Sequence, residues 1–199
     1  GRLRKPSGGA RGPFPRGCAI IPPLHRTPER RSLPQMPTRS TDFWKLFDPK
    51  GCSVNLKSSS KEDAIGELVE NFQSGGLLDD ALAKVALAAL QERERAASTG
   101  IGRGVAIPHV KVPGLDQAVV SLSIHKEGLD WEALDREPVQ IVFTVLRPDQ
   151  AGELHDPERH IEMMRWVARL AQDVDFRSFS VRVKNKKELV SLLKEKANL

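Results

Sequence analysis

The residue in this chain best suited to chemistry is the histidine that closes the run Ser98-Thr99-Gly100-Ile101-Gly102-Arg103-Gly104-Val105-Ala106-Ile107-Pro108-His109. A neutral imidazole is nucleophilic near pH 7, and the phosphoramidate it forms is reactive enough to pass its phosphoryl group on. Three glycines at alternate positions leave backbone N–H groups uncrowded by Cβ atoms, and such groups can receive phosphate oxygens. Val105-Ala106-Ile107 reads as a short buried strand, and Pro108 stiffens the approach to the ring. This reading makes His109 the acceptor of a phosphoryl group and places phosphate binding on Thr99, Gly100, Gly102 and Gly104. The glycines precede a strand rather than opening a helix, and G-x-x-x-x-G-K-[ST] is absent, so neither an ATP loop nor a dinucleotide fold is implied.

Two further residues have placements that suit the same chemistry. Asp156-Pro157 reads as a helix cap followed by proline at the first helical position, which puts His160 in the first turn of that helix. A helix N-terminus is electropositive and favours an incoming phosphoryl group, so His160 can stabilise charge there without being the acceptor. Arg93 continues the apolar stripe Leu82, Val85, Ala86, Ala89 and Leu90 of a helix expected over 79–96. That inward position admits two readings: an arginine snorkelling near a helix C-terminus, or a cation directed at an anion. Of the other histidines, His25 lies in the N-terminal region and His125 near a strand end. His155 stands five residues before His160, a spacing that does not bring two side chains to one helix face, and no constellation completes a zinc site. No metal and no cofactor is expected.

The run around His109 resembles the phosphoryl-acceptor motif of the type-2 (mannitol/fructose) EIIA domains of the bacterial phosphotransferase system, above all the nitrogen-regulatory branch. The similarity includes Glu92-Arg93-Glu94 and continues through Trp131-Glu132-Ala133-Leu134-Asp135 to Arg159-His160-Ile161, covering Asp42 to the C-terminus. It implies that Arg93 pairs with the phosphoryl group on His109 and that the donor is an HPr-like phosphocarrier protein. It further implies an output of one of two kinds: onward transfer to a cysteine of an EIIB domain, or regulation of a target protein by phosphorylation state. Arg103 occupies the variable position of the glycine run. Val110 stands where the family often has glycine, which narrows the approach of a partner loop.

Composition separates a tail from a body. Residues 1–41 carry nine Lys/Arg against one acid and eight of the fourteen prolines, with no apolar periodicity, so disorder is expected there. Met36 is a candidate true start. The remainder has 22 basic against 25 acidic residues, which leaves the folded part without a nucleic-acid footprint. Cys18 and Cys52 have no redox or metal spacing, and no apolar run reaches membrane-spanning length. A reduced, cytoplasmic setting without direct membrane insertion is expected.

Residues 42–199 are expected to form one α/β domain, a mixed sheet flanked by helices. Asp42–Phe47 is an apolar entry segment and Ser53–Leu56 a strand. Ser59 with Glu62 has capping-box spacing before a helix carrying Ala64, Ile65, Leu68, Val69 and Phe72, which Gly75-Gly76 ends. Ala118–Ile124 and Val139–Leu146 read as strands, the second apolar enough to be central and covered on both faces. Asp173–Val183 fits either a helix or a strand, and Asn185 with Glu188 caps a last helix over Leu189, Leu192 and Leu193.

Overall fold

Apolar residues recur along the chain with two different periods, and the computed structural model turns them into a mixed sheet and the helices that cover it. The structure describes residues 1, 37, 39–151 and 155–199. Two units divide the chain, residues 1–30 and 31–199, and the fold below is that of the second. The expected disorder of the tail falls almost wholly outside the described residues, as do Met36, Cys18 and His25.

A 3-10 helix, Ser40–Leu46, opens the described fold two residues ahead of the boundary expected at Asp42 and buries Phe43 and Leu46. The chain then runs along the sheet without becoming a regular strand. Ser53 N–H donates to Leu122 O (3.2 Å) and Leu56 N–H to Ile124 O (2.8 Å), and the stretch pairs in register only through isolated bridges, Phe47 with Val120 and Ser53 with Ser123. The strand expected over Ser53–Leu56 is thus reduced to an edge contact.

Helix α1 (Lys61–Ser74) buries the five apolar residues its spacing predicts. Its cap is Ser60, whose side chain accepts from the Asp63 N–H at 3.1 Å. The cap therefore sits one residue beyond the expected Ser59, because Ser60 holds the extended backbone from which its oxygen faces the helix end. Helix α2 (Asp80–Ala96) is capped by Asp79 through the Leu82 N–H at 2.9 Å. It buries Ala83, Ala86, Leu90 and Glu94, while Val85 of the expected stripe is 40 % exposed. The charge that this helix buries is Glu94, not Arg93.

Five strands follow: β1 (Gly100–Gly102), β2 (Val105–Ala106), β3 (His109–Val112), β4 (Val119–Leu129) and β5 (Val139–Pro148). β5 is the axis of the sheet. β4 lies antiparallel on one of its edges, with Val120 opposite Val145 and Ile124 opposite Ile141. On the other edge β2 and β3 pair with it in parallel, one after the other: Val105 with Ile141, then His109 with Val145. The interruption between them is Ile107-Pro108, and Pro108 O still accepts the Val145 N–H at 2.9 Å. β1 folds back antiparallel on β2 as a short hairpin.

Helices α3 (Pro157–Gln172), α4 (Val174–Ser180) and α5 (Lys186–Glu195) complete the chain. α4 resolves the ambiguous stretch after Asp173 in favour of helix: the Asp173 side chain accepts the Phe176 N–H at 2.6 Å, and Phe176 is buried beneath it. The cap at Asn185 is as expected, with the Glu188 N–H donating at 3.0 Å.

Alternation along β5 sends Phe143 and Val145 to one face and Val142 and Leu146 to the other. The first face packs against the 3-10 helix, α3, α4 and α5, the second against α1 and α2, which makes a three-layer α/β domain. At the centre of the first face Phe143 meets Phe47 edge-on at 6.2 Å and stacks on Phe176 at 5.9 Å. Phe143→Ala therefore empties a fully buried aromatic site, and we expect it to lower stability by about 3–5 kcal/mol, read as the shift of a denaturant midpoint.

Candidate active site

The interruption of the strand at Ile107-Pro108 is what presents His109. Ile107 N–H donates to Thr99 O (3.0 Å), tying the segment to the hairpin, and Pro108 then turns the chain so that His109 opens β3 with its side chain exposed. His109 Nδ1 lies 2.8 Å from the Ile107 carbonyl oxygen. A carbonyl only accepts, so Nδ1 carries the proton and Nε2 keeps its lone pair. The tautomer is thereby set to the one that leaves the outer ring nitrogen available as a nucleophile.

His109, Arg93 and His160 line one cleft of about 400 Å³, together with Glu92, Lys111 and Arg147. Three residues picked from distant parts of the chain thus meet at one place. Arg93 sits in the last turn of α2 and donates from Nη1 to Ala97 O at 2.8 Å, which anchors one side of its guanidinium and leaves other N–H groups to the cleft. His160 comes from the first turn of α3, behind the Asp156 cap, and is only 9 % exposed. Burial above all, with the charge of Arg147 and the rings of His155 and His160's neighbour His109 adding to it, pushes its pKa down from 6.5 to about 4. At neutral pH this ring is uncharged and offers a single N–H.

Thr99 and the glycines are elsewhere. Thr99 is buried and donates its N–H to Glu94 Oε1 (3.0 Å) and its hydroxyl to Glu94 Oε2 (2.6 Å), while Trp131 Nε1–H donates to Thr99 Oγ1 (3.2 Å). Both of its donors are committed, so Thr99 has none to give a phosphate, contrary to the sequence reading. Gly100, Gly102 and Gly104 belong to the β1–β2 hairpin and do not line the cleft. Gly102 (φ +90°) and Gly104 (φ +73°) flank Arg103, itself at φ +59°, in a turn of successive left-handed residues. Asp135 steadies that turn by accepting the Arg103 N–H at 2.6 Å. The glycines shape the hairpin.

Glu94 is the residue that sequence reasoning overlooked inside the matching triplet. It is 4 % exposed, holds Thr99 by two hydrogen bonds and has Lys61 Nζ at 3.8 Å. A buried carboxylate paired in this way clamps the end of α2 to the start of β1. It thereby fixes Arg93 relative to Thr99, whose carbonyl in turn holds Ile107, two residues before His109.

The model of the family described as "Phosphoenolpyruvate-dependent sugar phosphotransferase system, EIIA 2" matches residues 45–196. The chain belongs to this EIIA family. A fructose-specific EIIA component of the phosphotransferase system from Haloferax volcanii is 32% identical over 155 residues, 78% of this chain and 96% of that protein. A nitrogen regulatory protein from Bradyrhizobium diazoefficiens is 33% identical over 131 residues, 65% of this chain and 80% of that protein. Among solved structures, the nitrogen regulatory protein IIA-Ntr from Neisseria meningitidis superposes with a TM-score of 0.63 at 24% identity, covering 75% of this chain and 97% of that one. That last likeness is one of fold, and it agrees with the mixed sheet described above.

Beside the expected residues, this EIIA chain brings His155, Lys111 and Arg147 to the same region. The His155 ring meets the His160 ring edge-on at 5.7 Å and is itself buried. Lys111 and Arg147 come side by side through the β3–β5 register. No spacing along the chain signals that pairing. Among the described residues no helix is long and apolar enough to cross a membrane, and no group of three or more His, Cys, Asp or Glu is placed to hold a metal.

The depressed proton affinity of His160 has a consequence for stability. Between about pH 6.5 and pH 4 the unfolded chain binds a proton at this residue that the folded chain does not, so stability falls as pH falls. The His160 share of that loss is up to about 1.4 kcal/mol per pH unit. Unfolding measured at pH 7 and pH 5 should show a smaller pH dependence in His160→Gln than in the parent protein.

Proposed function

We propose that the protein is a phosphocarrier whose His109 Nε2 accepts a phosphoryl group from a phosphohistidine on an HPr-like protein. The observation that carries this reading is the hydrogen bond from His109 Nδ1–H to the Ile107 carbonyl, which leaves Nε2 unprotonated on an exposed ring. In the transfer the Nε2–P bond forms as the donor's N–P bond breaks, and the donor nitrogen keeps the electron pair. With Nδ1 already protonated on His109, no proton has to move. Catalysis on this reading is positioning and charge stabilisation: Arg93 neutralises the transferred oxygens, and the neutral His160 donates one hydrogen bond without adding charge. The amides of Gly100, Gly102 and Gly104 act at one remove, by shaping the hairpin that seats the segment.

The output we favour is regulatory. Phosphorylation adds nearly two negative charges to a small exposed surface and so switches which target protein docks there. The similarity to nitrogen regulatory proteins supports this. The match along nearly all of a fructose-specific EIIA component supports a second reading, in which the group passes to a cysteine of an EIIB domain during uptake of a fructose- or mannitol-type sugar. Either role belongs in the cytoplasm, where the donor phosphocarrier works.

Incubation with a phosphorylated HPr-like carrier should give one acid-labile phosphoryl group per chain in the parent protein and none in His109→Ala. Label that persists in His109→Ala would exclude His109 as acceptor. Capture of partners by the phosphorylated form and by His109→Ala separates the outputs: an EIIB domain supports transport, a kinase or other regulator supports signalling.

A further inference from the structure

Arg147 is the cleft residue that the phosphocarrier reading leaves without work. It stands two residues after Val145 on β5, and its register partner is Lys111, two residues after His109 on β3. Alternate residues of a strand share a face, so Lys111 and Arg147 follow His109 and Val145 on the same side of the sheet, and all four line the cleft. The Arg147 side chain is half-buried, and among the described residues no hydrogen bond or carboxylate partner engages its guanidinium. Its charge reaches the buried rings behind the cleft, disfavouring protonation of both His155 and His160.

A half-buried guanidinium with five unused donors, set among uncharged imidazoles, calls for an anion. Among the described residues the cleft supplies too few: Arg93, Lys111 and Arg147 face a single carboxylate, Glu92. Arg93 has part of its donor set occupied by Ala97 O, whereas the planar fork of Arg147 is free to take two oxygens of one phosphoryl group.

We propose that Arg147 is a second phosphoryl-binding residue of this cleft, so that the group carried on His109 Nε2 is held by two guanidiniums, one from α2 and one from β5. The inference rests on His109 being the acceptor. It assigns a division of labour: Arg93, fixed at the end of its helix, orients the group and neutralises part of its charge, and Arg147 neutralises the rest. It also makes the unphosphorylated cleft a weak site for inorganic phosphate.

Phosphoramidate tests this without any partner protein, since the His109 Nε2–P bond forms as the P–N bond of the reagent breaks and ammonia leaves. The full chain, Arg147→Gln, Arg147→Lys and His109→Ala are treated alike, and the phosphoryl group is titrated by 31P NMR. Loss of a neighbouring cation should raise the apparent pKa of the bound phosphoryl group by about 0.5 unit or more in Arg147→Gln, with Arg147→Lys restoring most of the shift. Arg93, Lys111, Glu92 and His160 surround the group in every variant, so the difference reports residue 147. In a second arm, inorganic phosphate is titrated into unphosphorylated protein while the histidine ring signals are followed. Binding should weaken about tenfold in Arg147→Gln. Arg147→Met, which keeps the apolar stem, serves if the Gln variant fails to fold.

Identical 31P titrations of parent and Arg147→Gln would overturn the proposal, as expected of a merely solvated arginine. Label surviving in His109→Ala, or absent from the parent, would instead overturn the acceptor reading. The proposal as stated falls with it, and the phosphate arm then decides separately whether Arg147 makes the cleft an anion site.

Discussion

The geometry of this protein converges on one hydrogen bond, that from His109 Nδ1–H to the carbonyl of Ile107. That carbonyl is available because the parallel strand beside β5 breaks at Ile107-Pro108, a place where proline withholds an N–H and the ladder continues through Pro108 O. The register survives the break, with Val105 opposite Ile141 and His109 opposite Val145, while the Ile107 carbonyl is left to the ring of His109. The break costs little because β5 remains paired by β4 on its other edge from Ile141 to Leu146. The sheet therefore carries a defect on one edge of its central strand, and the exposed imidazole sits at the defect.

Two helix ends meet the imidazole there, and they do so in opposite electrostatic senses. The last turn of α2 delivers Arg93, and the first turn of α3 delivers His160. Each end is clamped by a carboxylate acting on backbone N–H groups: Glu94 on Thr99 beside α2, and Asp156 on Glu158 and Arg159 at α3. The layers behind them, with Phe47, Phe143 and Phe176 on one side and Leu68, Phe72 and Leu90 on the other, leave neither helix room to slide. Burial then keeps His160 neutral, so the cleft draws its positive charge from arginine and lysine, whose charge does not change near neutral pH.

Much of this was legible before the fold was known, and for identifiable reasons. The helix caps at Asp156 and Asn185 follow from local backbone chemistry, which needs only a few adjacent residues. The central role of β5 follows from its apolar run, and the residues immediately before His109 drew attention to the ring that the fold leaves exposed in the cleft. What misled was the reading of glycines and Thr99 as phosphate ligands, since flexible backbone in a sequence serves a hairpin and an anion equally well. The left-handed turn over Gly102–Gly104 and the buried grip of Glu94 on Thr99 decide for the hairpin.

The sequence by itself determined the family and the layered α/β class, and it singled out His109, Arg93 and His160, which the fold brings to one cleft, because each is written in contiguous motifs or in helical spacing. Only the tertiary structure decided which charge α2 buries, which tautomer His109 adopts and which further cations stand beside it. Those outcomes depend on register and burial. The pairing of Lys111 with Arg147, the carbonyl under His109 and the desolvation of His160 arise from residues far apart in the chain, and no local pattern encodes the dielectric or the neighbour that a folded sheet provides.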